Sequence, residues 1–254
     1  MRYVRRKTRK SRKPKKSSRK RKALQGGSSL KFAILISGRI NAYEHLLKEL
    51  HELQDTYNGV FFISLNSQKR SEYVNGFCKE FKLSDDQVNV EPTVTPEWLE
   101  QMPVHHNNNR YNVYSVLYHN KKAFDLISKY QEAHKMKFDG VLIYRPDIQT
   151  PDGLVKLEMP EENTYHTLHD PGLKEMHPEG WEHPYGVNGI VGYGTVDTIK
   201  KYCDAVDNLQ KLDTLIYHEG ILEKQLKTSG VKIKDTMIFN YKLDPRRYDR
   251  PPNE

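Results

Sequence analysis

Three short apolar runs, KFAILIS (31–37), GVFFISLN (59–66) and FDGVLIYRPDI (138–148), return along the chain with a helix-length stretch before each repetition. This alternation constrains the fold more than any other feature. Short apolar runs bounded by polar residues read as buried strands, and apolar positions at three- and four-residue spacing read as helices. After the first run, Asn41 with Glu44 three residues on has the form of a capping box. Tyr43, Leu46, Leu47, Leu50 and Leu53 then follow at helical spacing. A second helix is expected from about 71 to 81, and QVNVEP reads as a short third strand. Val113, Val116, Leu117, Ala123, Phe124 and Ile127 line one face of a long amphipathic helix that runs into FDGVLIYRPDI.

Beyond that point VNGIVGYG reads as a strand or its edge, TVDTIKKYCDAVDNL as a helix, EGILEKQLKTSG as a helix closed by Gly230, and VKIK as a strand. Strands alternating with helices at these lengths predict one α/β domain, over 30–254, with a mixed, mostly parallel sheet flanked by helices. Two stretches break the rhythm: MPVHHNNNRYN, which reads as a mobile loop, and the His-, Pro- and Gly-rich segment 151–185, which reads as a long loop or lid.

Charge separates the first residues from the rest. Residues 1–23 hold 14 Lys or Arg and no acid; removing those from the chain's 41 basic residues leaves 27 against 33 acidic ones, a net charge of −6. Residues 1–29 are therefore expected to be a disordered basic tail ending in the hinge LQGGSS. Such a tail can be a solubilising polycation, contact nucleic acid or another polyanion through residues 2–22, serve as a nuclear-import address, or touch an anionic membrane surface. No apolar stretch follows the charges as in a secretory signal, and no run approaches the ~20 apolar residues of a membrane span. Two cysteines without finger spacing, Cys78 and Cys203, predict buried free thiols and a reducing compartment.

Ligands of open α/β sheets bind outside the carboxyl ends of the strands. Three expected strand ends carry polar groups: SGRIN after the first, SLNSQ after the second and RPDIQT after the run at 138–148. GxGxxG, Walker and GxSxG motifs are absent, which disfavours a dinucleotide site, a P-loop and an α/β-hydrolase. At the third end, Asp147 has the chemistry to hold a hard divalent cation and Arg145 to grip phosphate in a bidentate fork, with Pro146 limiting the backbone between them. The alternative is a local ion pair with Asp147 capping a turn. In the long loop, His166, His169, His177 and His183 suit a metal only if His166-x-x-His169-Asp170 forms a helix or tight turn, so a solvated loop is the better reading. Trp181 and Tyr185 could stack on a sugar or a base.

ILISGRINAYE, VFFISLN, YSVLYHNKKAFDLISKYQEAHKMKFDGVLIYRPDI, VNGIVGYGTVDTIKKYCD and HEGILEKQL occur in an order that resembles a group of GT-A-like glycosyltransferases of large DNA viruses, algae and bacteria that build surface glycans. The likeness spans about residues 31–240. It implies a nucleotide-diphosphate sugar as donor, a glycan or protein acceptor, and a divalent cation, manganese or magnesium. By this resemblance Arg145 and Asp147 take the place of the family's metal- and donor-binding Asp-x-Asp, with Asp147 the metal ligand. Ser37, Gly38, Arg39 and Asn66 would contact the nucleotide, and Asn188 would face the acceptor. The chain departs from the family pattern twice. Asn41 stands where an arginine is expected after Ser-Gly, and Asn188-Gly189 stands where an acid followed by Gln and Phe is usual. The rival function is a non-catalytic, glycosyltransferase-shaped protein, virion- or nucleic-acid-associated, that binds through its basic tail.

Overall fold

The computed structural model describes residues 30–38, 40, 43–68, 70–104, 109–145, 148–149, 157–168, 189, 191–212, 218–237 and 242–243. The basic tail therefore lies outside the described residues, as do Arg39, Asn41, Pro146, Asp147, His169, Asp170, His177, Trp181, His183, Tyr185 and Asn188.

The first half is a run of strand–helix units. β1 (Phe32–Ser37) leads through a 3-10 turn, Tyr43–Leu46, into α1 (Leu47–Thr56), and β2 (Val60–Asn66) leads into α2 (Glu72–Phe81). β3 (Val88–Glu91) is followed by a 3-10 helix, Glu97–Gln101, and then by α3 (Arg110–His134) and β4 (Gly140–Tyr144). The strands lie in the order β3-β2-β1-β4, all parallel.

Their continuous apolar character follows from burial on both faces. Ala33, Leu35, Phe62, Val141 and Ile143 pack into a core with α3, whereas Phe32, Ile34, Ile36, Phe61, Ile63 and Leu142 pack on the other face with α1 and α2. On that second face Phe77 of α2 meets Tyr43 and Phe61 edge-on, at 5.2 and 5.6 Å between ring centroids. Each fully buried ring or aliphatic side chain of this kind contributes about 1.5–3 kcal/mol by area removed from water.

The second half completes the sheet and corrects several expectations. β6 (Thr164–Leu168) lies inside the segment read as a loop; its mixture of Thr, Tyr and His was masked by the Pro and Gly around it. β7 (Val191–Gly194) pairs antiparallel with β4 and with β6, and β8 (Lys232–Met237) pairs parallel with β6. The full order is β3-β2-β1-β4-β7-β6-β8, a mixed and mostly parallel sheet flanked by helices, as expected.

The run at 138–148 is interrupted: β4 stops at Tyr144, and β5 (Ile148–Gln149) pairs instead with β9 (Lys242–Leu243) in a separate two-stranded ribbon. The helix expected over 195–209 breaks after α4 (Val196–Cys203) and resumes as α5 (Ala205–Asn208) and a 3-10 turn. At the break Asp204 accepts from Lys121 of α3 at 2.6 Å and from Lys200 at 2.8 Å, tying the joint to the long helix. α6 (His218–Thr228) precedes β8.

Part of the expected loop MPVHHNNNRYN is helical. Asn109 caps α3, its side-chain oxygen accepting from the Tyr111 and Asn112 N–H groups, so Arg110–Asn112 form the first turn. Cys203 is buried as expected but Cys78 is partly exposed, and both are free. Among the described residues, no helix is long and apolar enough to cross a membrane.

Candidate functional site

β1, β2 and β3 fill the sheet outward on one side, and α3 then carries the chain back to place β4 on the other side of β1. The boundary between β1 and β4 is thus the topological switch point, the position at which open α/β sheets bind their ligands. Leu35 pairs with Ile143 across this boundary; Ser37 is the last residue of β1, and Arg145 follows the last residue of β4.

Gly38 follows Ser37 at φ +92°, a left-handed conformation that strongly favours glycine, and a Cβ placed there would meet nothing within 4 Å among the described residues. The chain therefore turns out of β1 through a conformation that only glycine adopts readily. Ser37 itself is buried, and its hydroxyl donates to Asn120 Oδ1 at 2.5 Å.

Arg145 is half-buried, and its charge is felt at His218, the first residue of α6. Burial pushes the His218 imidazole below its ordinary value; the Glu219 carboxylate opposes this and the Arg145 cation reinforces it. As a residue His218 is partly exposed, yet its Nε2 is closed off from solvent with no hydrogen-bond partner among the described residues. Its ring packs directly on Gly189, where any Cβ would collide with the imidazole. Gly189 belongs to the VNGIVGYG motif, so that motif, α6 and the end of β4 meet at one place.

Asn66 ends β2, one strand further from the switch point, and is exposed. Its side-chain oxygen accepts from the Thr93 N–H at 3.0 Å, which holds the segment leaving β3. Of the residues singled out from sequence, Ser37 and Gly38 lie at the end of β1, Arg145 follows the adjacent β4, and Asn66 ends β2 on the other side of β1. His166 is buried in β6, stacked on Tyr193 at 4.4 Å, and residues 164–168 are extended rather than in the helix or tight turn a His166–His169 metal pair requires. Among the described residues, no three His, Cys, Asp or Glu side chains gather as a metal site. For a nucleotide the fit is better: an open left-handed glycine and a strand-end guanidinium are what a diphosphate needs.

Sequence reasoning missed a buried polar layer beneath these strand ends. Asn89 Nδ2 donates to Ser64 Oγ at 3.0 Å, Ser64 Oγ meets His119 Nδ1 at 2.8 Å, and His119 Nε2 meets Thr93 Oγ1 at 3.0 Å. Thr93 Oγ1 meets Ser115 Oγ at 2.8 Å, closing the chain. With Asn89 donating into it, Ser64 has its own proton free for Nδ1, which leaves Nε2–H to donate to Thr93. Burial pushes His119 down to about 4, with the Glu91 carboxylate opposing and Lys122 adding, so the ring is neutral at physiological pH. The available signal was positional: Asn120 stands between Leu117 and Phe124 at three- and four-residue spacing, inside the apolar stripe of α3, where a polar residue needs a buried partner.

No protein-family model matches the chain, and no curated protein matches it in sequence. Solved structures similar to it include an active-site mutant of LgtC, at 15% identity and a TM-score of 0.47, with 79% of this chain and 72% of that one covered. Another is a glycosyltransferase involved in the glycosylation of the major capsid of PBCV-1, at 14% identity and a TM-score of 0.39, covering 80% of this chain and 82% of that one. A third is core-mannan synthase A from Aspergillus fumigatus in its Mn/GDP form, at 12% identity and a TM-score of 0.39, covering 88% and 76%.

Proposed function

We propose that this chain is a glycosyltransferase that holds a nucleotide-diphosphate sugar over the carboxyl ends of β1, β2 and β4 and passes the sugar to a glycan or protein acceptor. The observation that carries the reading is the placement, at the switch point of the sheet, of a left-handed glycine leaving β1, Gly38, and an arginine directly following the adjacent β4, Arg145. The order of sequence motifs, which resembles that of GT-A-like glycosyltransferases, supports the same reading.

In this scheme the backbone at Ser37, Gly38 and Arg39 approaches the nucleotide, with Asn66 at its flank. As the bond between sugar and diphosphate breaks, negative charge grows on the leaving group. The Arg145 guanidinium meets that charge with two parallel N–H donors, an interaction that strengthens as the charge develops. His218, held neutral, leaves Arg145 as the fixed cation of this strand end. Asp147 would hold a divalent cation, manganese or magnesium, whose charge adds to that of Arg145 when it is bound. Asn188 would face the acceptor.

The test uses two substitutions and two readouts. Asp147→Asn keeps the shape and removes the charge, and Arg145→Lys keeps the charge and removes the fork. Manganese-dependent affinity for UDP or GDP should fall about tenfold or more in each, a loss of ~1.4 kcal/mol or above. The melting temperature should change little. If instead both variants melt earlier and bind nucleotide as the unaltered protein does, Arg145 and Asp147 form a structural ion pair and the reading fails.

A further inference from the structure

Ser37 of β1 and Ser64 of β2 are direct partners in the parallel register, so they form one rung of the sheet just below the strand ends. Two consecutive residues of α3 address that rung. Asn120 accepts from the Ser37 hydroxyl at 2.5 Å, and His119 meets the Ser64 hydroxyl at 2.8 Å. Both α3 residues are only 2% exposed, and Ser64 is fully buried. His119 also reaches past β2 to Thr93, and the Asn120 carbonyl accepts from Cys203 Sγ of α4 at 3.5 Å. A helix needing only to cover the sheet would carry apolar residues here, as it does at Leu117, Ala123, Phe124 and Ile127. A buried polar pair instead fixes one register and one rotamer of each partner, because any other arrangement leaves unsatisfied groups.

We propose that Asn120, with His119 beside it, is a positioning residue for the donor subsite: it fixes Ser37, and so sets where Gly38 turns and which way its backbone faces the nucleotide. This rests on the glycosyltransferase reading above. Neither residue touches donor in the proposal; each acts through a serine on the strand end. The geometry makes the effect local, since Gly38 follows Ser37 directly and no described residue lies within 4 Å of its Cβ position.

Calorimetric titration of the full chain with UDP and with GDP, each with manganese, tests this. Asn120→Ala should weaken binding of whichever nucleotide the unaltered protein takes by about tenfold or more. Ser37→Ala removes the same hydrogen bond from the other side and covers the case in which Asn120→Ala does not fold; it should lose a similar factor. The double variant should lose no more than either single one, because both remove one interaction. Gln87→Ala is the stability control. Gln87 is also buried and donates to the Phe61 carbonyl at 3.0 Å, near the amino end of β2. That variant should melt earlier yet bind nucleotide unchanged. Unaltered affinity in Asn120→Ala and Ser37→Ala, or an equal loss in Gln87→Ala, overturns the positioning role and leaves the proposed site standing. Failure of the unaltered protein to bind either nucleotide overturns the glycosyltransferase reading and this inference with it.

Discussion

Two groups of buried polar side chains, one under β1–β3 and one under β6–β7, are satisfied to different degrees. Under β1, β2 and β3, every polar side chain in the layer formed by Ser37, Ser64, Asn89, Thr93, Ser115, His119 and Asn120 has a partner within 3.0 Å. Under β6 and β7, the Tyr165 and Tyr202 hydroxyls are enclosed without a hydrogen-bond partner among the described residues. Their rings stack at 5.3 Å; burial and then the neighbouring Tyr165 push the Tyr202 hydroxyl far up, and any interaction between the two hydroxyls falls short of hydrogen-bond geometry. Tyr165 Oη instead lies against Gly192, in the space a Cβ would need. A satisfied polar layer fixes geometry, whereas an unsatisfied hydroxyl only costs desolvation. The difference teaches that the β1–β2–β3 side is built to hold its strand ends still. The β6–β7 side uses its aromatics chiefly for bulk.

The strongest way to break this contrast is at His119. Replacing it with Ala opens a void and strips a partner from both Ser64 and Thr93, so the expected cost is on the order of 3 kcal/mol by denaturant unfolding. A loss below about 1 kcal/mol would show that the layer is not what holds these strand ends.

Acid sharpens the same point. His119 takes up a proton far less readily folded, at about 4, than unfolded, near the ordinary 6.5. The stability it contributes is complete above about pH 6.5 and is lost as the pH falls toward 4, in total about 3 kcal/mol. Burial also depresses His166 and His218, which add losses of the same sign as the pH falls. The contribution of His119 is therefore the difference between the unfolding pH profiles of the unaltered chain and of His119→Gln. Parallel profiles between pH 7 and 4 would refute it.

The smallest expected effect lies on the other side of the sheet. Tyr202→Phe deletes a hydroxyl that has no partner among the described residues, so stability should stay level or rise by up to about 1 kcal/mol. A clear loss would reveal that Tyr202 has a partner outside those residues, and the contrast between the halves would narrow.

What the sequence determined by itself was the layering. Residues such as 32–36 and 140–144 are apolar at every position, so they have to be covered on both faces, and the helical stripes at 43–53 and 113–127 supply the cover. Helix and strand identity follow because period and length are local properties, and the grouping of polar residues at strand ends was legible for the same reason: Ser37, Gly38, Asn66 and Arg145 each sit where an apolar run stops. Tertiary structure alone decided which strand ends are neighbours. Ser37 and Arg145 are 108 positions apart, and the strands they end or follow become neighbours only because β4 takes the place beside β1, which long-range packing decides. It also decided that His119 and Asn120, polar residues in an apolar stripe, are tolerated: their partners Ser64 and Ser37 lie 55 and 83 positions away, and only the folded sheet brings those hydroxyls under the helix. Strand β6 was hidden for a related reason. Its Thr-Tyr-His-Thr pattern has no strong local signal, and it is a strand because β7 and β8 offer it backbone partners on both edges.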